Sequence, residues 1–191
     1  MARLIFITGA SRSGKSGFAQ ELAEGLAPDR TYIATCPRLE GDAELDRRIL
    51  RHQQERAGRN WVTIEEPVDL VKHLNAITRG VVLIDCLTLW VNNLLWYAEQ
   101  EGRAMDEMQV AASTRAFIDA VAGCRAGTVI AVSNEVGWSV VPENALARLY
   151  RDCVGRCNQL VAQAAEAACL MVCSIPVWIR GDSPLKQDCP E

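Results

Sequence analysis

Short, uninterrupted apolar runs alternate along this chain with longer segments whose apolar residues recur at helical spacing. The runs 3–8, Thr31–Cys36, Trp61–Ile64, Val81–Asp85 and Thr128–Val132 have the length and composition of strands, and Leu170–Cys173 and Val177–Ile179 close the series. Between them the pattern predicts helices over 15–26, from an Asp42 cap to Arg56, and over Val68–Ile77, 88–100, 106–122 and Glu143–Ala168. Strands that are apolar at every position, rather than at alternate ones, need cover on both faces. The expected architecture is therefore α/β, a mainly parallel sheet with helices on both sides, in one domain spanning 1–191.

The junction between the first strand and the first helix carries chemistry. Gly9-Ala10-Ser11-Arg12-Ser13-Gly14-Lys15-Ser16 matches G-x-x-x-x-G-K-[ST] in the order strand, loop, helix. Glycines at both ends let backbone N–H groups turn inward on an anion, and the following helix adds its positive end. Lys15 is expected to reach the β- and γ-phosphates and the Ser16 hydroxyl to ligate Mg²⁺. Asp85 ends the apolar strand 81–85, and in doubly wound sheets ligands collect at the carboxyl ends of strands. Its carboxylate is thus a second Mg²⁺ candidate beside Ser16, with a cap for the next helix as the plainer alternative.

Composition narrows the function classes. The chain has 191 residues, 49% of them hydrophobic, and a formal net charge of −4, enough to bury a real core but without the basic surface that nucleic acid demands. No apolar run approaches the ~18 to 20 residues of a membrane span, and Met1 leads directly into a strand, so a cytoplasmic protein is expected. The eight cysteines include no C-x-x-C pair and read as buried thiols in a reducing compartment. Cys153 with Cys157 is expected to share a helix face and Cys169 with Cys173 a strand face; Cys189 reads as the most exposed.

A further cluster is Arg47-Arg48-Ile49-Leu50-Arg51-His52-Gln53-Gln54-Glu55-Arg56. Guanidinium groups there can pair with phosphate oxygens, and surrounding positive charge favours a neutral, nucleophilic His52 imidazole. A solvated helix carrying an incidental histidine fits the same residues. His73 has no such surroundings and is placed at a helix surface.

These blocks occur in order with Tyr32-Ile33-Ala34-Thr35, Trp61-x-Thr63-x-Glu65, Asp85-Cys86-Leu87-Thr88-Leu89-Trp90, Asn134-Glu135-Val136-Gly137, Val141-Pro142, Arg151-Asp152 and Asn158-Gln159. From about residue 3 to 180 the chain resembles the bifunctional adenosylcobinamide kinase / adenosylcobinamide-phosphate guanylyltransferase family of cobalamin biosynthesis. The resemblance implies a recombinase-like P-loop NTPase fold and two reactions. Adenosylcobinamide is phosphorylated with ATP or GTP, and GMP is then transferred from GTP to that phosphate through a covalent GMP-histidine. The matching position is His52. The same resemblance implies GTP contacts at Ala34, Thr35, Cys36, Gln53, Gln54, Glu55, Arg56 and Glu65, and a homotrimer; the acidic charge balance adds the expectation of no nucleic-acid partner.

Glu65 is further expected to accept both guanine N–H groups, a pattern adenine lacks; a surface glutamate at a strand end is the alternative. Asn134-Glu135-Val136-Gly137 follows a buried strand and is a candidate for positioning substrate or metal. Trp138-Ser139 and Ser174 depart from the family pattern at turns, and both departures are expected to stay clear of the nucleotide. A kinase without guanylyl transfer, or a nucleotide-driven module acting on a macromolecule, are the competing readings; the acidic composition speaks against the second.

Overall fold

The computed structural model describes residues 1–37 and 43–185, with only part of the side chains in 43–56. In chain order the elements are β1 (Arg3–Gly9), α1 (Lys15–Leu26), β2 (Arg30–Ala34), α2 (Ala43–Arg56), β3 (Trp61–Glu65), α3 (Leu70–Ala76), β4 (Val81–Asp85), α4 (Leu87–Gln100), α5 (Glu107–Gly123), β5 (Thr128–Val132), α6 (Ala145–Ala164), β6 (Ala167–Val172) and β7 (Ile175–Arg180). They build one seven-stranded sheet in the order β3-β2-β4-β5-β1-β6-β7. Every neighbouring pair is parallel except β6 with β7.

The two-sided burial explains the uninterrupted apolar strands. Leu4, Phe6, Val82, Ile84, Val129 and Ala131 point into a core shared with α3, α4, α5 and α6. Their neighbours Ile5, Ile7, Val81, Leu83, Ile130 and Val132 point into a second core against Ala19, Leu22 and Ala23 of α1. Each strand residue thus loses its apolar surface on one face or the other, about 1.5 to 3 kcal/mol for each large side chain. Helices α3, α5 and α6 begin where short polar side chains accept orphan N–H groups. Asp106 and Gln109 form a capping box on α5, Asn144 caps α6, and Asp69 caps α3.

Three sequence expectations shift. The helix predicted over Glu143–Ala168 stops at Ala164, and Ala167 to Cys169 instead pair with Ile5 to Ile7 of β1; alanine suits a helix, but the open edge of β1 gains a full ladder. β2 ends at Ala34, because Thr35 turns its hydroxyl onto the Cys86 backbone, donating to the carbonyl at 2.8 Å and accepting from the N–H at 2.7 Å. Cys173 does not share a strand face with Cys169; it sits exposed in the β6–β7 turn at φ 51°. Cys153, Cys157 and Cys169 are buried thiols as expected. The Asp42 cap and Cys189 lie outside the described residues.

Candidate active site

The sheet register gathers the candidate residues at one edge. Asp85 pairs with Ala34 on one side and with Val132 on the other, Val132 pairs with Ile7, and Ala34 pairs with Glu65. Glu65, Ala34, Asp85 and the start of the phosphate loop therefore stand at the carboxyl end of the strands, at nearly one level. β5 separates β1, which delivers the loop, from β4, which delivers Asp85.

The loop has the geometry its glycines predict. Gly14 caps α1 at φ 89° with no side chain closing the helix end, so the first N–H groups of α1 are left for an anion. A Cβ on Gly9 would stand 2.6 Å from the Met171 carbonyl oxygen and 2.8 Å from Ser13 Oγ, and Arg12 holds φ 59° to complete the turn. Lys15 folds back, its Nζ donating to the Ala10 carbonyl at 3.0 Å. Burial lowers its pKa, against the opposing pull of the Asp85 carboxylate. Ser13 Oγ is buried with no hydrogen-bond partner. Ala10 and Ser11 are exposed and Ser16 is half-buried at the first turn of α1.

Asp85 belongs to a second assembly. Tyr32 Oη donates to Asp85 Oδ2 at 3.0 Å, and burial, reinforced by the Asp85 charge, raises the phenol pKa well above its ordinary value, so it stays a neutral donor. The Arg56 guanidinium lies 3.6 Å above the Tyr32 ring, and Trp61 meets that ring edge-on with centroids 6.1 Å apart. Arg56 is 5% exposed, and its Nε and Nη1 have no hydrogen-bond partner among the described residues. A solvated position is thus excluded for this arginine; it is a buried cation with two donors in reserve. The contact anchors the C-terminal end of α2 beside β2 and, through Tyr32, to the loop edge.

His52 lies in α2, one turn before Arg56. Its side chain and those of Arg48, Arg51 and Glu55 lie outside the described residues. Gln53 is half-buried, Gln54 and Glu65 are exposed, Thr35 is buried and Cys36 half-buried. His73 sits on α3 and is engaged with a carboxylate, its Nε2 3.0 Å from Glu66 Oε2. Glu66 Oε1 also accepts from the N–H groups of Val68 and Asp69. Burial would raise the Glu66 pKa, but those bonds and the imidazole outweigh it and hold the pKa low.

The donor set suits a hard cation. One oxygen of Asp85 is engaged by Tyr32, the other has no hydrogen-bond partner among the described residues, and the Ser16 hydroxyl heads α1, which packs on β4. One carboxylate and one hydroxyl, completed by phosphate oxygens and water, is the pattern Mg²⁺ takes at triphosphates. Asp85 does not cap α4; the residue at that position is Cys86.

Two features escaped the sequence reading. The Ser174 N–H donates to the Ser13 carbonyl at 2.9 Å, and a Cβ on Gly14 would meet Ser174 Oγ at 2.6 Å. The expectation that the Ser174 departure stays clear of the nucleotide parts is therefore corrected: the β6–β7 turn buttresses the phosphate loop. Trp138 and Ser139 stand exposed in the segment after β5. The second feature is a polar network around Glu135. Thr8 Oγ1 donates to Glu135 Oε1 at 2.7 Å, and Asn158 Nδ2 donates to the same oxygen at 3.3 Å and to the Asn134 carbonyl at 3.0 Å. Ser133 and Thr88 extend it inward. Only the sequence block Asn134–Gly137 hinted at it, since its partners are far away in the chain.

The family model for cobinamide kinase / cobinamide phosphate guanyltransferase matches residues 5–179. The chain is 36% identical over 178 residues to a bifunctional adenosylcobalamin biosynthesis protein, CobP, of Pseudomonas aeruginosa, covering 92% of this chain and 96% of that one. It is 38% identical over 191 residues to the bifunctional adenosylcobalamin biosynthesis protein CobU of Salmonella typhimurium, covering 93% and 99%. The CobU protein of Escherichia coli is 39% identical over 186 residues, with the same coverage.

Proposed function

The chain belongs to the cobinamide kinase / cobinamide phosphate guanyltransferase family, a bifunctional transferase of cobalamin biosynthesis that uses nucleoside triphosphates, and we propose that one triphosphate site on loop 9–16 serves both reactions. The observation that carries this reading is the single sheet edge at which the loop, Asp85, Ala34 and Glu65 meet, with α2 anchored to it by Arg56.

Phosphoryl and nucleotidyl transfer need charge neutralisation and in-line positioning above all. The N–H groups of Gly14 to Ser16 and the Lys15 ammonium bind the phosphate chain. Asp85 and Ser16 would hold Mg²⁺, which would neutralise further negative charge on the phosphates. In the kinase step the hydroxyl of adenosylcobinamide attacks the γ-phosphorus of ATP or GTP. In the second step a neutral His52 nitrogen attacks the α-phosphorus of GTP, a P–N bond forms, and the bond to pyrophosphate breaks. The phosphate of adenosylcobinamide phosphate then attacks the same phosphorus, giving adenosylcobinamide-GDP and free His52. The two donors that Arg56 holds in reserve suit an anionic ligand, Gln53, Gln54 and Glu55 precede it on α2, and Ala34, Thr35 and Cys36 line the neighbouring strand end. Glu65 reads guanine through its two N–H groups.

The chain is proposed to act as one domain, in the cytoplasm, as a homotrimer; among the described residues no helix is long and apolar enough to cross a membrane. The test is mass spectrometry after incubation with GTP and Mg²⁺. A guanylate adduct mapping to His52, absent in His52→Ala while kinase activity survives, is expected. An adduct on the variant, or one mapping to Lys15 or His73, overturns the assignment.

A further inference from the structure

Glu135 follows the end of β5 by three residues, and its backbone N–H donates to the Gly9 carbonyl at 3.2 Å, so it sits against the first residue of the phosphate loop. Its two carboxylate oxygens are treated differently. Oε1 accepts from Thr8 Oγ1 and from Asn158 Nδ2. Oε2 has no hydrogen-bond partner among the described residues, and it is not sealed from solvent. The supporting shell is itself held. Asn158 is 7% exposed and its Oδ1 accepts from Ser133 Oγ at 2.6 Å; Thr88 Oγ1 accepts from the Asn134 N–H at 2.7 Å; Val136 packs into the core. Such a shell fixes a carboxylate in one orientation, with one oxygen presented outward.

Neither the triphosphate contacts nor guanylyl transfer makes use of this group. It is not part of the Lys15–Asp85–Tyr32 assembly, which lies across β5 on the α1 side of the sheet. A carboxylate beside the loop would repel phosphate unless it has another task, and the kinase step contains one. The attacking hydroxyl must lose its proton, and the outward oxygen of Glu135, held beside the loop, is placed to accept it. Beyond Glu135 the chain runs through exposed Trp138, Val140 and Val141, an apolar surface that favours a bulky organic alcohol over water as the reacting partner.

We infer that Glu135 is the general base of the kinase step. Its Oε2 takes the proton from the substrate hydroxyl as that oxygen bonds to the γ-phosphorus. The bond between this phosphorus and the β,γ-bridging oxygen breaks, and the nucleoside diphosphate leaves with the electron pair. The protonated carboxyl then returns its proton to solvent. The inference rests on the reading that loop 9–16 holds the triphosphate.

The test compares the two reactions in the full-length protein. Kinase activity is measured with γ-labelled ATP and adenosylcobinamide, and guanylyl transfer with GTP and supplied adenosylcobinamide phosphate. In Glu135→Gln the amide oxygen still accepts from Thr8 and Asn158, so the network survives while the proton acceptor is lost. The expected result is a fall of about 10²-fold or more in the kinase kcat with little change in KM for ATP, and a far smaller change in guanylyl transfer. In Glu135→Ala added formate restores part of the kinase rate, a response that lost packing does not give. A Glu135→Gln kinase within about fivefold of wild type, equal losses in both reactions, or a folded alanine variant that formate does not rescue overturns the inference. Should the alanine variant not fold, the glutamine variant decides alone. Lys15→Ala, run alongside, loses both reactions if the loop holds the triphosphate, so failure of that reading is seen separately.

Discussion

The phosphate loop and the Glu135 network lie side by side at the same sheet edge and are built in opposite ways. In the loop Lys15 binds back to Ala10 and Ser13 N–H donates to the same carbonyl at 3.2 Å, so most of its shape is settled within a few residues. Glu135 is held by Thr8, 127 positions earlier, and by Asn158, 23 positions later. The loop presents backbone donors and the Lys15 cation; the network presents a side chain whose orientation depends on β1, β5, α4 and α6 together. A device made of local backbone tolerates changes elsewhere in the fold, whereas an assembled one fails when any of its supports is removed.

The largest expected effect falls on the local device. Lys15→Ala removes the ammonium expected on the phosphate chain and should lower both reactions by about 10² to 10³ in rate. Assaying kinase and guanylyl transfer in parallel checks it. Retention of either rate would mean that the two reactions do not share the loop.

The assembled side is broken by Asn158→Ala. Ser133 Oγ and the Asn134 carbonyl each lose a partner in a largely buried setting, and a stability loss of about 1 to 3 kcal/mol is expected. For a chain of this size that corresponds to a fall in Tm on the order of 2 to 4 °C per kcal/mol. Thermal unfolding reads it, and kinase activity should decline more than guanylyl transfer. An unchanged Tm would show that the network is not coupled to the fold.

The smallest effect sharpens the comparison, because one distant residue does touch the loop. Cys173 and Ser174 hold φ 51° and 65° between the paired residues Val172 and Ile175, the two-residue turn for which glycine is favoured. Ser174→Gly relieves the left-handed strain of a side chain while keeping the N–H bonded to Ser13. A gain of up to about 1 kcal/mol is expected, since roughly 1 to 2 kcal/mol of strain is offset by the chain entropy of glycine. Nucleotide affinity, measured by titration calorimetry, should not move. A drop in affinity would show that the Ser174 side chain itself, rather than its backbone, shapes the loop.

Legibility in the sequence followed the same division. Glycine spacing revealed the loop because its geometry is a property of contiguous residues. Asp85 was readable because a strand buried on both faces ends abruptly in a carboxylate. Tyr32 was not, since an aromatic residue in a strand reads as core, and its bond to Asp85 spans 53 positions. Arg56 looked like one more cation on a charged helix, and its burial over Tyr32 follows only from how α2 meets β2. The boundary between α6 and β6 was invisible because the alanines at 164, 165, 167 and 168 all have helical propensity on their own, and those at 167 and 168 find strand partners only in the folded sheet.

By itself, then, the sequence determined the alternation of strands and helices, the two-faced sheet and the phosphate loop, since hydrophobic period and glycine spacing act over a few residues. The tertiary structure alone decided which carboxylate oxygen of Glu135 is left open, which arginine is buried, and which turn braces the loop. Those outcomes depend on side chains brought together from distant positions by the packing of the sheet, and local pattern carries no record of them.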